Sequence, residues 1–170
     1  RFRFIYQDFF MLQLYLLMMK KFAQRHSTYR ITPPEQLSAF ISELPFELTS
    51  AQKRVMEEIR RDMDMDVPMQ RLVQGDVGSG KTIVAFYSAY NAFLSGCQST
   101  LMVPTEILAK QHYQSAVELF RNTGMRIRLI TRSTTKKEKE KMYNEISSHE
   151  CDLVIGTHAI IQYQVSFAKL

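Results

Sequence analysis

The chain has 170 residues, of which 45% are hydrophobic and 23% are charged. This length and balance fit one globular domain with an extension, and they exclude a disordered or collagen-like chain. The net charge of +5 is compatible with a polyanionic partner such as nucleic acid, although many basic proteins bind none. Cys97 and Cys151 lie far apart without zinc-ligand spacing, so the sequence predicts neither a zinc site nor a disulfide framework and favours a reducing cytoplasm.

The first 30 residues are predicted to form an apolar helix with a basic tail. Phe9–Met19 is an almost unbroken apolar run. A membrane span needs about 20 apolar residues, and extension towards the N-terminus meets Gln7 and Asp8. No small-residue cleavage site precedes Lys20, which argues against a signal peptide. We therefore expect a helix that is buried or covered by a partner, and the start at Arg1 favours a piece of a longer protein.

Pro33-Pro34 marks a predicted boundary, so residues 1–32 are expected to form a separate segment. Residues 33–68 are predicted as a helical lead-in, with helices over 35–43 and 51–62. From Met69 to residue 170, strands and helices alternate, which predicts an α/β domain with a parallel sheet flanked by helices. The predicted strands are 71–74, 99–103, 126–130 and 152–155, and the predicted helices are 81–94, 106–121 and 135–148.

The most specific motif is the glycine-rich segment Gly75–Thr82, with the sequence GDVGSGKT. Backbone N–H groups in such a turn, together with the positive end of the following helix, form a binding site for the phosphates of a nucleoside triphosphate. Lys81 is expected to reach the outer phosphates, and the Thr82 hydroxyl is expected to bind Mg²⁺. The other predicted phosphate-binding residues are Gly75, Asp76, Val77, Gly78, Ser79 and Gly80.

Phe46, Thr49 and Gln52, which precede this loop in the chain, are candidates for binding the base of the nucleotide. The amide of Gln52 offers a donor and an acceptor, which match the edge of adenine, and an aromatic ring such as Phe46 can stack on a base. Thr49 belongs to the same segment. On local grounds alone, Thr49 as a helix cap and Phe46 as a core residue are the favoured alternatives.

Two predicted strand ends carry hydroxyls and backbone amides that suit the phosphates of a nucleic acid. The first lies in Pro104–His112 and the second in Gly156–Ala159. The alternatives are that Thr105 is a simple helix N-cap and that His158 is a structural histidine. The candidate DNA-contacting residues are Thr105, Glu106, Gln111, Thr157 and His158.

Taken together, these segments resemble the first RecA-like motor domain of superfamily 2 DNA helicases of the RecG type. The resemblance covers most of residues 44–167, and residues 1–30 resemble the helix that joins the DNA-binding wedge domain to the motor in that family. Ser79, Glu106 and Ala159 favour this family over the transcription-repair coupling factors, the nearest alternative. The segments that carry the resemblance are Leu44–Gln52, Arg71–Gln74, the P-loop, Pro104–His112 and Gly156–Ala159.

The resemblance implies an ATP-dependent DNA helicase that acts at replication forks and recombination junctions in the bacterial cytoplasm, near the nucleoid. It implies ATP and Mg²⁺ as cofactors, branched or duplex DNA as partner, and a monomer. Thr49 and Gln52 would lie at adenine, and Thr105 and Thr157 near DNA phosphates.

The same resemblance implies a RecA-like sheet truncated before the Walker B strand, because the sequence contains no Asp-Glu-x-His motif. The wedge domain and the second RecA-like domain, which supplies arginines for hydrolysis, are missing as well. We therefore expect weak nucleotide binding, almost no hydrolysis and marginal stability, since residues 71–74 would lack a sheet neighbour. A non-catalytic nucleotide-binding module is the main alternative, and a P-loop kinase or transporter ATPase is a weaker one.

Overall fold

The structure, a computed structural model, describes residues 2–23, 29–32, 35–158, 160 and 165–170. Between residues 35 and 156, every predicted helix is confirmed to within two residues at each end, as are three of the four predicted strands. The elements in chain order are α1 (Phe2–Ala23), α2 (Gln36–Ser42), α3 (Ser50–Met63), α4 (Lys81–Leu94), β1 (Ser99–Met102), α5 (Glu106–Leu119), β2 (Ile127–Ile130), α6 (Lys136–Ser147) and β3 (Leu153–Gly156).

The three strands form one parallel sheet in the order β1-β3-β2. Leu153 at the start of the central strand pairs with Ser99 on one side and with Ile127 on the other. The central strand is fully buried, as expected for a parallel sheet with helices on its faces. The predicted α/β class is therefore confirmed, and the carboxyl ends of all three strands lie at one edge of the sheet.

A cluster of aromatic side chains joins the helical lead-in to the α/β unit. The Phe40 ring of α2 lies 4.5 Å from that of Tyr90 in α4 and 5.5 Å from that of Phe120, just after α5. Phe86 of α4 meets Phe120 edge to face at 5.8 Å. Buried aromatic pairs of this kind add stability beyond their burial, so α2 and the segment that follows it are held against the P-loop helix.

The strand predicted at residues 71–74 is wrong, because no backbone ladder forms there. Arg71 instead binds the carboxylates of Glu58 and Asp62 in α3, at 2.6 Å and 2.7 Å. The Leu72 side chain is 88% exposed. A parallel strand exists only through hydrogen bonds to a neighbour, and no strand of the described part of the chain lies beside this segment. The lack of a sheet neighbour agrees with the expectation drawn from the resemblance.

Helix α1 exposes its apolar side chains. Between Tyr6 and Met19, the large hydrophobic side chains are 41–73% exposed. Burial within this chain is therefore the wrong expectation for these residues, whereas cover by a partner stays a prediction. The predicted boundary at Pro33-Pro34 and the basic tail around Arg25 lie outside the described residues. Among the described helices, none has the length and apolar character to cross a membrane.

Candidate nucleotide-binding site

The glycines of Gly75–Thr82 are required by the shape of the loop. Gly78 and Gly80 have φ values of +83° and +77°, a region that side chains with a Cβ rarely adopt. A Cβ on Gly75 would lie 2.7 Å from the Ser79 hydroxyl. A Cβ on Gly80 would meet the side-chain amide of Gln52. Backbone conformation therefore favours glycine at positions 78 and 80, and a side chain at position 75 or 80 would displace that of Ser79 or Gln52. The loop leads directly into the N-terminus of α4.

The Lys81 ammonium lies inside this loop. It donates to the carbonyl oxygens of Gly75 at 2.8 Å and Asp76 at 2.6 Å, with the Ser79 hydroxyl at 3.4 Å. An ammonium has three donors that turn freely on a flexible stem. Lys81 can therefore exchange these carbonyl oxygens for phosphate oxygens without a change in the backbone.

Gln52 connects the upstream segment to the loop. Its amide nitrogen donates to the carbonyl of Ser79 at 3.0 Å, and its amide oxygen accepts from the backbone N–H of Thr49 at 2.8 Å. The Thr49 hydroxyl in turn accepts from the backbone N–H of Gln52, which completes a capping box at the start of α3. Each end of the Gln52 amide keeps one unused hydrogen-bonding position for the edge of a base.

Phe46 is not a core residue, because half of its surface is exposed. Its ring lines a cavity of about 560 Å³ together with Thr82 and Ile83 from the first turn of α4. A volume of this size is typical of a small-molecule site. Gln52 thus meets the loop at Ser79, and Phe46 shares the cavity with Thr82 at the end of the loop, whereas Thr49 is bonded to Gln52.

The predicted DNA contacts lie at the carboxyl edge of the sheet. Thr105 caps α5 by accepting from the backbone N–H of Leu108 at 3.3 Å. Glu106 accepts from the backbone N–H of Arg132 at 3.0 Å and from the Ser133 hydroxyl at 3.3 Å. Glu106 therefore holds the loop that follows β2 against the start of α5. Sequence reasoning assigned Glu106 to DNA and did not indicate this contact.

Thr157 and His158 follow the central strand at the same edge. The Thr157 side chain is buried, and its hydroxyl has no hydrogen-bond partner among the groups that the structure describes. His158 is exposed. Gln111, one turn after the start of α5, lines a second hollow that also includes Thr82. The edge thus collects four of the predicted residues on two neighbouring strand ends, and Gln111 lies between this edge and the P-loop helix.

A glycine-rich phosphate loop at the start of a helix that packs on a parallel sheet defines a P-loop nucleoside-triphosphate-binding domain. The sequence profile of the DEAD/DEAH box helicases matches residues 49–169. The chain belongs to this family.

Two bacterial helicases and one solved structure are among the proteins similar to this chain. The chain is 46% identical to the ATP-dependent DNA helicase RecG of Bacillus subtilis, over 99% of this chain and 25% of that protein. It is 43% identical to RecG of Aquifex aeolicus, over 99% of this chain and 21% of that protein. A solved structure of RecG bound to a three-way DNA junction is 41% identical, with a TM-score of 0.85, and the match covers 97% of this chain and 23% of that one. The chain thus spans about a quarter of the length of these relatives.

Proposed function

We propose that this chain is the ATP-binding part of the first motor domain of an ATP-dependent DNA helicase of the RecG type, which acts at replication forks and recombination junctions in DNA repair. The observation that carries the proposal is the hydrogen bond between the Gln52 amide and Ser79. It joins a side chain that matches adenine to a loop that matches phosphates. The RecG similarity over nearly the whole chain supports the wider assignment.

ATP would place its base against Phe46 and Gln52 and its phosphates along Gly75–Thr82. Mg²⁺ usually keeps several waters and is bound by one or two protein ligands together with substrate phosphates. The partly buried hydroxyl of Thr82, at the first turn of the helix beside the loop, fits that donor set. When bound, Mg²⁺ would neutralise the charge of the outer phosphates. Lys81 would bind and orient the outer phosphates.

DNA would lie along the carboxyl edge of the sheet. Thr105 follows β1 and Thr157 closely follows β3, and these two strands are neighbours. Backbone amides at a helix start and hydroxyls at strand ends are ordinary contacts for phosphate oxygens. Gln111 and His158 would extend this contact. Glu106, a carboxylate that phosphates repel, would act through the loop that it holds.

Residues 1–32 would be the linker helix from a wedge domain, 33–68 the lead-in that carries the adenine segment, and 69–170 part of the RecA-like domain. The exposed apolar side chains of α1 support a covering surface in a larger protein. We place that protein in the bacterial cytoplasm at the nucleoid, as a monomer that also carries a wedge domain and a second RecA-like domain. The 170-residue chain itself would bind nucleotide and hydrolyse almost none.

Equilibrium binding of a fluorescent ATP analogue with Mg²⁺ tests the proposal. The chain should bind saturably, and Lys81→Ala should weaken binding at least tenfold because it removes the positive charge that lies against the loop. Lys137→Ala, which removes the same charge from the exposed face of α6, should bind like the unchanged chain. Absence of binding, or equal binding by both variants, would contradict the proposed function.

A further inference from the structure

The cavity beside the P-loop has a polar wall that the adenine and phosphate contacts do not use. Its volume is about 560 Å³, and it lies between α4, α5 and the segment that precedes α3. Phe46 lies on one wall, and Thr82 and Ile83 belong to the first turn of α4. On α5, the wall carries Ser115 and Glu118.

If the P-loop holds the phosphates, the positions of the sugar and the base follow from the lining of the cavity. A triphosphate held by Gly75–Thr82 would run along the loop to the first turn of α4, where Thr82 and Ile83 line the cavity, and its sugar would follow there. Phe40 and Phe86 also line the cavity, but both are almost fully buried, so Phe46 is the ring in the lining that can stack on a base. The sugar would therefore lie between Thr82 and Phe46, in front of α5.

Glu118 is the group on that wall with the right chemistry for a sugar. It lines this cavity and also the second hollow, and Thr82 and Ser115 line both as well. The side chain is exposed, and no hydrogen bond or ion pair engages it within the described ranges. A carboxylate accepts hydrogen bonds only, and two neighbouring hydroxyls can donate to its two oxygens. Carboxylates bind ribose in this way in other nucleotide-binding folds.

We propose that Glu118 binds the ribose of the nucleotide by accepting hydrogen bonds from its 2′- and 3′-hydroxyls. Glu118 would then be a specificity-determining residue that favours ribonucleotides over deoxyribonucleotides. The proposal rests on the proposed nucleotide-binding function, because it uses the P-loop to place the triphosphate.

Isothermal titration calorimetry with ATP and 2′-deoxy-ATP, each with Mg²⁺, tests the assignment on the 170-residue chain. The unchanged chain should bind ATP about tenfold more tightly than 2′-deoxy-ATP, the effect of one hydrogen bond to a charged acceptor. Glu118→Ala should bring this ratio close to one by weakening ATP binding. Glu118→Gln, which keeps the size but loses the charge, should lower the ratio to an intermediate value. Glu140→Gln, an equivalent change on the exposed face of α6, should leave the ratio unchanged.

The outcomes separate this proposal from the proposed function. If the unchanged chain binds both nucleotides equally, or if Glu118→Ala keeps the preference, Glu118 does not bind the ribose although the nucleotide site stands. If the chain binds neither nucleotide, both proposals fail. Lys81→Ala should weaken both nucleotides without changing their ratio. Thermal unfolding of the Glu118 variants should match that of the unchanged chain, because the side chain has no partner to lose within the described ranges.

Discussion

The two hydrogen bonds of the Gln52 amide can be separated by substitution, because one belongs to a helix cap and the other to the P-loop. Gln52→Ala removes both. Gln52→Glu keeps an oxygen that can accept from the backbone N–H of Thr49, since Glu serves in a capping box as well as Gln does. It removes the donor to the Ser79 carbonyl and places a negative charge beside the proposed phosphate site.

The expected magnitudes follow from these contacts. Loss of the cap should lower the free energy of unfolding by about 1 kcal/mol, since the groups are only partly buried and water can replace the bond. Gln52→Ala should therefore shift the urea midpoint, followed by circular dichroism, by about 0.5 M, whereas Gln52→Glu should stay close to the unchanged chain. Both variants should bind ATP at least tenfold more weakly in the fluorescence assay.

Two results would refute this reasoning. If Gln52→Glu unfolds at the same urea concentration as Gln52→Ala, and both differ from the unchanged chain, the capping box does not carry the stability. If Gln52→Glu binds ATP as tightly as the unchanged chain, the contact with Ser79 plays no part in forming the phosphate site.

Three further predictions concern the backbone, pH and thiol chemistry. Gly80→Ala should destabilise the chain more than Gly124→Ala in urea unfolding, because both have a φ of +77° but only the first has a side chain against its Cβ; equal losses would contradict this. The Arg60 guanidinium lowers the pKa of Glu57 from 4.5 to about 2. This lowered pKa stabilises the fold above about pH 4.5, and the contribution is lost as the pH falls towards 2, so Glu57→Gln should flatten the pH dependence of unfolding in that range. Burial raises the pKa of the Cys151 thiol to about 11, so a thiol reagent at pH 8 should modify it far more slowly in the folded chain than in urea. Equal rates would show that the segment just before β3 opens readily.

The features that local sequence determines were predictable. The P-loop, the cap at Thr49 and the alternation of strands and helices depend on residues close together in the chain. The predicted strand at residues 71–74 failed for the opposite reason. The apolar pair Leu72-Val73 just before the glycine-rich loop suggests a strand there, but a ladder needs a neighbouring strand that the described part of the chain does not supply.

The site shows the same division between local and distant contacts. Phe46 and Gln52 could be selected from their chemistry, yet the bond from Gln52 to Ser79 joins residues 27 positions apart and has no signal in the sequence. Glu118 was missed because an exposed glutamate on a helix is the ordinary pattern of a solvated face. Its place in the groove between α4 and α5 depends on packing between distant parts of the chain.

The two hydrogen bonds that Glu106 accepts connect two loops at the carboxyl edge of the sheet. One carboxylate holds both the backbone N–H of Arg132 and the hydroxyl of Ser133, while it belongs to the first turn of α5 beside Thr105. The loop after β2 therefore cannot move away from the loop after β1 without breaking two hydrogen bonds at once. Glu106 thus links the ends of β1 and β2 across the end of the central strand β3, so a displacement of one loop would be passed to the other.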